Sequence, residues 1–571
     1  MKSYIQLTLL SLLLFVGFSS RVEAQLMQEK EQYTHADTLR GSDNPNRNWW
    51  KVLHYNITVK PDYNTKSIQG KTWIEFKEVY SIHSDTMQID LQQPLIIDSI
   101  CYFRRFENAH IIITLKDKDL IRKENCYFFK IKTYYPKDKT STLAIYYHGT
   151  PTEAVNPPWD GGWIWKKDSL NNPWITVACQ GLGASAWYPC KDYQGDKPDK
   201  GASLTVIIPD TLVAVANGRL LAHTAPDSNH LTSYTWSVTN PINNYNIIPY
   251  IGKYSNFTDT FMGLKGKLDL SYWVLDYNLN KAREQFAQVK PMLLSMEYWF
   301  GPYPFYEDGY KLVDAPHLGM EHQSAIAYGN RYQNGYLGRD LSSSGWGLKW
   351  DFIIVHESGH EWFGNNITSK DIADMWIHEA FTTYSETLFV EYYYGKKAAD
   401  EYNKGERQRV TNTRNIIGPY GVNKEGSEDM YFKGTNLLHT IRHAIDNDSL
   451  FHAILLGLNK TFYHQTVTTK QIESYISKQA GINFNTVFNQ YLRSSQIPEL
   501  QYTIDTINNK LSFKWNNTVE GFNLRMKLQP SGRFIAPTTT LQTITLSPAD
   551  LLWILNKGLS NQYYIKEKSQ N

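Results

Sequence analysis

His356, Glu357 and His360 stand in the stretch Val355-His356-Glu357-Ser358-Gly359-His360-Glu361-Trp362-Phe363-Gly364, and their types and spacing suit metal-assisted hydrolysis. A helix turns about 100° per residue, so residues four apart share a face and two imidazoles can grip one ion. Glu357 sits off that pair, within reach of a water that the ion activates. A hydrolytic zinc keeps three protein ligands and one open position, so a third partner is needed. Glu379 is the candidate: it follows His360 after 18 residues, enough to finish one helix, turn, and bring a second alongside. With 16 His in the chain, chance alone places a bare H-E-x-x-H in roughly two per cent of chains of this composition, so the motif needs support from its surroundings.

The elements that must position these groups are legible from periodicity. From about His54 the pattern has period two, as in His54-Tyr55-Asn56-Ile57-Thr58-Val59-Lys60, broken by turn clusters such as Pro61-Asp62-Tyr63-Asn64; this predicts a large all-β domain. Near Lys281 the period becomes helical, with Phe286, Val289, Met292, Leu293 and Met296 recurring up to Gly301-Pro302. The motif helix is expected to end at Gly364-Asn365. Met375 to Tyr394 reads as a long helix closed by Gly395, and Thr468-x-x-Gln471 as a capping box opening another. Past Ile497-Pro498 the alternation returns. The division expected is a leader at 1–24, an all-β domain at 25–255, an α-rich domain at 256–497, and a small β domain at 498–571.

At 571 residues the chain is too long for one core, and 42% aliphatic and aromatic with 20% charged residues is the balance of a soluble globular protein. The net charge of +2 and the absence of a long basic run exclude nucleic acid as the expected partner. Met1-Lys2-Ser3, an apolar run from Ile5 to Phe18 and Val22-Glu23-Ala24 describe a secretory leader cut after Ala24, which predicts an exported protein, periplasmic or extracellular, with no membrane anchor afterwards. None of the four Cys lies in a C-x-x-C pair, so a thiolate metal site is not indicated. Export permits disulfides, Cys179 with Cys190 or Cys101 with Cys126 being the local pairings, and free thiols are the alternative.

The motif, the interval of 18 and the third Glu resemble the M1 family of zinc aminopeptidases, as do Trp362-Phe363-Gly364-Asn365 and Trp376-Ile377-His378-Glu379-Ala380-Phe381 around the ligands. His378 and Ala380 depart from the family's usual Asn and Gly. His317-Leu318-Gly319-Met320-Glu321-His322 resembles the G-x-M-E-N exopeptidase motif, with Leu318 and His322 as departures. The resemblance implies that Glu321 binds the substrate's free α-amino group and that Gly319 and Met320 line the substrate. It further implies that Gln180, ahead of Trp187-Tyr188-Pro189-Cys190, assists from the β domain. Tyr431, in Met430-Tyr431-Phe432-Lys433-Gly434, matches the Tyr that donates to the oxyanion. Glu386 lies two helical turns beyond Glu379 on the same face, where it either orients a ligand imidazole or is an ordinary helix Glu.

The expected architecture is therefore multidomain α+β, with an N-terminal all-β domain, a thermolysin-like α-rich catalytic domain and a small C-terminal β domain. The expected activity is removal of N-terminal residues from peptides with a free N-terminus. One Zn2+ per chain is held by His356, His360 and Glu379, and Glu357 is the base. A binding member of the same fold without activity, or a hydrolase with lipid-epoxide side activity, are the alternatives. Larger family members carry a long helical C-terminal domain over the cavity, so a more open cleft is expected here. Preferred N-terminal residue and oligomeric state are not legible.

Overall fold

The computed structural model describes residues 32–79, 85–106, 109–131, 140–559 and 562–569; the expected leader lies outside them. The alternating stretches form an eight-stranded sheet, in the order Arg219–His223, Leu231–Val238, Ala202–Pro209, Trp50–Asp62, Ser67–Glu78, Thr140–Gly149, Ile96–Phe106 and Ala109–Leu115. Along Leu231–Val238 every second residue is buried, so Thr232, Tyr234, Trp236 and Val238 face the core, as a half-buried strand requires. A four-stranded sheet packs with it, in the order Val213–Val215, Tyr250–Gly252, Pro173–Ala178 and Gly162–Lys167. Its strand Pro173–Ala178 runs out towards Cys179 and Gln180.

A five-stranded mixed sheet begins at Tyr254 and separates two cores. Its order is Tyr254–Gly263, Gly266–Leu275, Tyr310–Asp314, Ile326–Tyr328 and Gly319–Met320. Tyr310–Asp314 is buried along its whole length, with Leu312 in the core of the helical region and Val313 in that of the β region. A strand covered on both faces need not alternate, and the buried Lys311 is satisfied by the Gly218 carbonyl. The edge strand Gly319–Met320 runs antiparallel to its neighbour and carries the sheet to the floor of the site.

Five helices matter for the site: α1 (Val289–Phe300), α2 (Phe352–Gly359), α3 (Trp376–Tyr394), α4 (Lys396–Glu406) and α5 (Phe432–Ile445). Asp351 caps α2, accepting from the amides of Ile353 and Ile354 at 3.0 and 3.3 Å, which satisfies donors the helix itself leaves open. α2 is shorter than its sequence suggests: it closes at Gly359 with His360 as its cap, and Glu361 to Phe363 continue as turns. The bond from His360 N to His356 O, 3.4 Å, keeps the two histidines in helical register. α3 is buried from Trp376 through Val390, so its apolar residues encircle it instead of forming one stripe. Gly395 ends it, and the Thr468–Gln471 capping box opens Thr469–Ala480.

The C-terminal segment forms a four-stranded sheet, ordered Gln542–Thr545, Lys510–Asn516, Glu499–Asp505 and Lys566–Ser569, together with the helix Pro548–Lys557. Leu500, Leu511, Phe513 and Trp515 join the same apolar core as α1 to α5, so this segment is packed into the helical region and shares its core. All four cysteines are free thiols; neither local pairing forms. Cys126 is tied instead to Asp90, its Sγ donating to Oδ1 at 3.2 Å, and Cys179 donates to the Tyr245 carbonyl at 3.5 Å. No helix among the described residues is long and apolar enough to cross a membrane.

Candidate active site

α2 and α3 bring His356, His360 and Glu379 together so that one ligand atom from each lies within 4.8 Å of the others. His360 Nε2 is 3.4 Å from Glu379 Oε2, and both atoms are buried without a hydrogen-bond partner. Ligands at about 2.0–2.1 Å from a tetrahedral zinc stand roughly 3.3 Å apart, so this donor set fits a three-ligand zinc. The outer nitrogens are fixed. His356 Nδ1 lies 2.7 Å from Glu386 Oε1, whose other oxygen accepts from the Tyr402 hydroxyl of α4 at 2.6 Å. His360 Nδ1 faces the Phe363 carbonyl at 3.0 Å and Thr382 Oγ1 at 3.1 Å. These contacts place the proton on Nδ1 of each ring and turn the Nε2 lone pairs inward. Burial, with His360 beside it, pushes His356 down to about 3, so its imidazole is neutral and ready to ligate.

Glu357 is 1% exposed, with Oε2 unpartnered. Burial raises its pKa well above the usual range, with Glu321 and Glu379 adding to the rise and His360 opposing it, and a raised carboxyl is the condition of a group that trades protons near neutrality. Gly319 passes directly beneath: a Cβ there would stand 2.7 Å from Glu357 Oε1 and 3.0 Å from the Ile353 side chain. Only glycine leaves both Glu357 and the edge strand in place. Met320 follows on that strand, buried in the β-region core.

Glu321 is fully buried and collects donors from three directions. Its Oε1 accepts from Gln180 Nε2 at 2.6 Å and from the Tyr245 hydroxyl at 2.9 Å. Asn365 holds its backbone carbonyl at 2.8 Å. Oε2 remains without a donor. Glu321, Glu357 and His360 offer ligand atoms within 4.8 Å of one another, so the Glu321 carboxylate stands beside the ligand His360. Tyr431, at the start of α5, has its ring 6.4 Å from that of His356, and its hydroxyl is buried and unpartnered. Burial, then Glu379 and Glu321, raises its pKa well above the usual phenol range, which keeps it a neutral donor. A narrow cavity opens beside Glu357 and Tyr431 with Leu318, Phe352, Ile353 and Phe432 among its walls. His356 and Tyr431 are only 3% and 5% exposed. Wider space adjoins at Trp159 and Leu318.

Three of the four departures from the family pattern, His378, Ala380 and His322, have a local partner. His378 Nε2 accepts from the Ser369 amide at 2.8 Å, and burial drives its pKa well down, so it serves as a neutral acceptor. Ala380 abuts Gly434, where an added Cβ would come within 2.6 Å of the Ala380 methyl; the alanine on α3 uses the room that the glycine on α5 leaves. His322 Nδ1 bonds the Tyr250 hydroxyl. Tyr245, Tyr402 and Thr382 were not singled out by sequence. Two are among 39 tyrosines, and no spacing marks them.

Residues 284–491 match the Peptidase family M1 domain. Canine (Canis lupus familiaris) aminopeptidase N is 23% identical over 59% of this chain and 37% of its own length. Leukotriene A-4 hydrolase of Xenopus laevis is 23% identical over 63% of this chain and 60% of its own. The chain spans about half the length of the curated relatives it matches. Among solved structures, an M1 zinc metallopeptidase from Deinococcus radiodurans bound to a Tyr-Ser-Ala substrate superposes with a TM-score of 0.62 at 18% identity, covering 77% of this chain and 94% of that one. Legionella pneumophila aminopeptidase A in complex with aspartic acid gives 0.66 at 16%, covering 87% and 56%. Residues 284–491 thus carry a peptidase family M1 domain, aminopeptidases are among the chain's relatives, and M1 metallopeptidases share its fold.

Proposed function

We propose that the protein is an exported, single-zinc-centre aminopeptidase that releases N-terminal residues from peptides. The observation that carries this reading is the orphan Oε2 of buried Glu321 beside the His356, His360 and Glu379 ligand set. A buried carboxylate oxygen with no donor calls for a cationic partner, and the substrate's α-ammonium supplies one only at a chain end. Gln180 and Tyr245 hold the other oxygen and so fix the direction of approach. Zinc on the three ligands would polarise the scissile carbonyl and acidify water. Glu357 takes the proton of the attacking water and returns it to the leaving amine, and Tyr431 donates to the carbonyl oxygen as charge develops there. The mostly apolar walls at Leu318, Phe352, Ile353 and Phe432 favour an apolar substrate side chain.

The test compares aminoacyl-anilides with their N-acetylated forms and with internally cleavable peptides, using zinc-loaded protein. Release from the free amines alone is expected. Equal turnover of the acetylated forms would remove Glu321 from its role, and no turnover of any substrate would favour a binding protein. Export is tested separately by sequencing the mature N-terminus, which should begin at Gln25.

A further inference from the structure

A second cluster of metal-ligating side chains lies away from the catalytic one, at the far end of α5. His439 and His443 are four residues apart on this helix, and Asp400 faces them from α4. His439 is eight residues beyond Tyr431, about 12 Å along the helix axis. The two Nε2 atoms are 3.1 Å apart, and Asp400 Oδ1 is 3.3 Å from His439 Nε2 and 3.7 Å from His443 Nε2. Three ligands of a tetrahedral divalent ion, bound at about 2.0–2.1 Å, span a triangle with sides of roughly 3.3 Å. The sides found here straddle that value.

The catalytic pair provides an internal standard. The His356 and His360 rings are 5.0 Å apart at 84°, and the His439 and His443 rings are 4.5 Å apart at 78°. Both are i, i+4 pairs with near-perpendicular imidazoles. His439 is also oriented from behind, its Nδ1 lying 3.3 Å from the Tyr384 hydroxyl of α3, as an outer partner holds a ligating ring. The alternative is a hydrogen bond between two neutral imidazoles. That bond accounts for the 3.1 Å separation but leaves Asp400 Oδ1, which is buried, with no donor. One carboxylate oxygen and two imidazole nitrogens converge on one point, the arrangement of a ligand set. Arg442 nearby is already engaged by Glu391, at 2.5 and 2.8 Å, and by Asp448 at 2.9 Å.

We propose that Asp400, His439 and His443 form a second divalent transition-metal site, of zinc-like geometry, that ties α4 to α5. The clamp joins the two helices that carry Tyr402, behind His356, and Tyr431, on the cavity. Asp400 is the most exposed of the three, at 30% of its side chain, so the ion is reached from its side, and tying α4 to α5 is a structural role.

The experiment is a zinc titration of the chelator-stripped full chain, with bound metal counted by mass spectrometry after gel filtration. Wild type should hold two ions per chain. Glu379→Ala should keep one, and Asp400→Asn and His443→Gln should each keep one, with affinity at the lost site weakened by more than about 100-fold. Asp400→Asn is nearly isosteric at a partly exposed position, and its melting temperature without metal should match wild type, which separates ligand loss from misfolding. One ion in wild type that Asp400→Asn leaves in place overturns the proposal. Two ions retained by Asp400→Asn and His443→Gln overturn it equally. Because Glu379→Ala and Asp400→Asn remove different ions, failure of the second site and failure of the catalytic assignment give different counts.

Discussion

Glu386→Gln isolates what the residue behind a ligand does. Glu386 Oε1 is 2.7 Å from His356 Nδ1 and its Oε2 accepts from Tyr402 at 2.6 Å, so the variant keeps shape and volume while removing the charge. A hydrogen bond to a charged acceptor contributes about 1.5–3 kcal/mol and one to a neutral acceptor about 0.5–1.5 kcal/mol. The loss at His356 is therefore roughly 1–1.5 kcal/mol, near tenfold in zinc affinity, at the low end of the 10–100-fold typical of such outer partners. The amide nitrogen now faces Tyr402, whose hydroxyl must turn to accept, and this adds to the loss without changing its sign. Zinc affinity measured by competition with a chromogenic chelator should fall about tenfold or somewhat more, with kcat at saturating zinc within a few-fold of wild type. Tyr402→Phe should produce a smaller fall in the same direction. Unchanged affinity, or a kcat reduced a hundredfold with affinity intact, would refute the orienting role.

Four further outcomes test the remaining groups. Glu357→Gln should retain zinc and lose about 10²–10⁴-fold in kcat; metal content and turnover on one anilide decide it. Glu321→Gln should cost about 10–150-fold in kcat/KM on free amines, the worth of one charge-assisted hydrogen bond, and so narrow the preference for them over N-acetylated substrates; an unchanged preference with a loss on both would point to a structural defect. Tyr431→Phe should lower kcat about 10²–10³-fold with little change in KM, and a KM effect alone would contradict donation to the developing oxyanion. Asp351→Ala should destabilise the fold by about 2–4 kcal/mol in urea denaturation, because it removes a helix cap and leaves the buried Tyr328 hydroxyl without its acceptor.

Ligand spacing was readable because helical geometry is local. Four residues set His356 over His360, and 18 allow one helix to close and the next to return, so the chain itself carries the distance information. The same holds for the ends of α3 and for the Thr468 cap, where single residues fix the backbone. The end of α2 was misplaced by four to five residues because Glu361 to Phe363 continue in turns with helix-like bonds, which periodicity does not separate from a helix. Contacts between distant segments left no pattern to read. Gln180 meets Glu321 across 141 positions, and Tyr245 across 76. The alternation after Pro498 indicated strands correctly but said nothing of their core, which is shared with the helices because Leu500, Phe513 and Trp515 face them. The cysteine pairings failed for a related reason: nearness in sequence says little about side-chain direction when the thiols of Cys101, Cys126 and Cys179 turn to other polar partners, as Cys126 does to Asp90.

The electrostatics of the cavity link the metal to the specificity. Glu321 and Glu357 offer oxygens within 4.8 Å of each other beside His360, and Glu379 lies against the same imidazole. Two like charges at that distance repel by roughly 3 kcal/mol at an effective dielectric of about 20. Three carboxylates this deeply buried are tolerable together only with positive charge among them or with protons on some of them. A divalent ion on His356, His360 and Glu379 offsets two of the three charges, and the α-ammonium offsets the third at Glu321. The substrate's free amine then completes the charge balance that the ion begins, so binding of the amine and readiness of Glu357 as base are coupled. An N-acetylated peptide brings no positive charge and leaves Glu321 unpaired, which raises the pKa of Glu357 when it must accept a proton from water. On this account the Glu321→Gln variant should shift the acidic limb of the kcat/KM profile to lower pH, since removing one neighbouring negative charge favours ionised Glu357. An unmoved limb would separate the two carboxylates and confine Glu321 to binding alone.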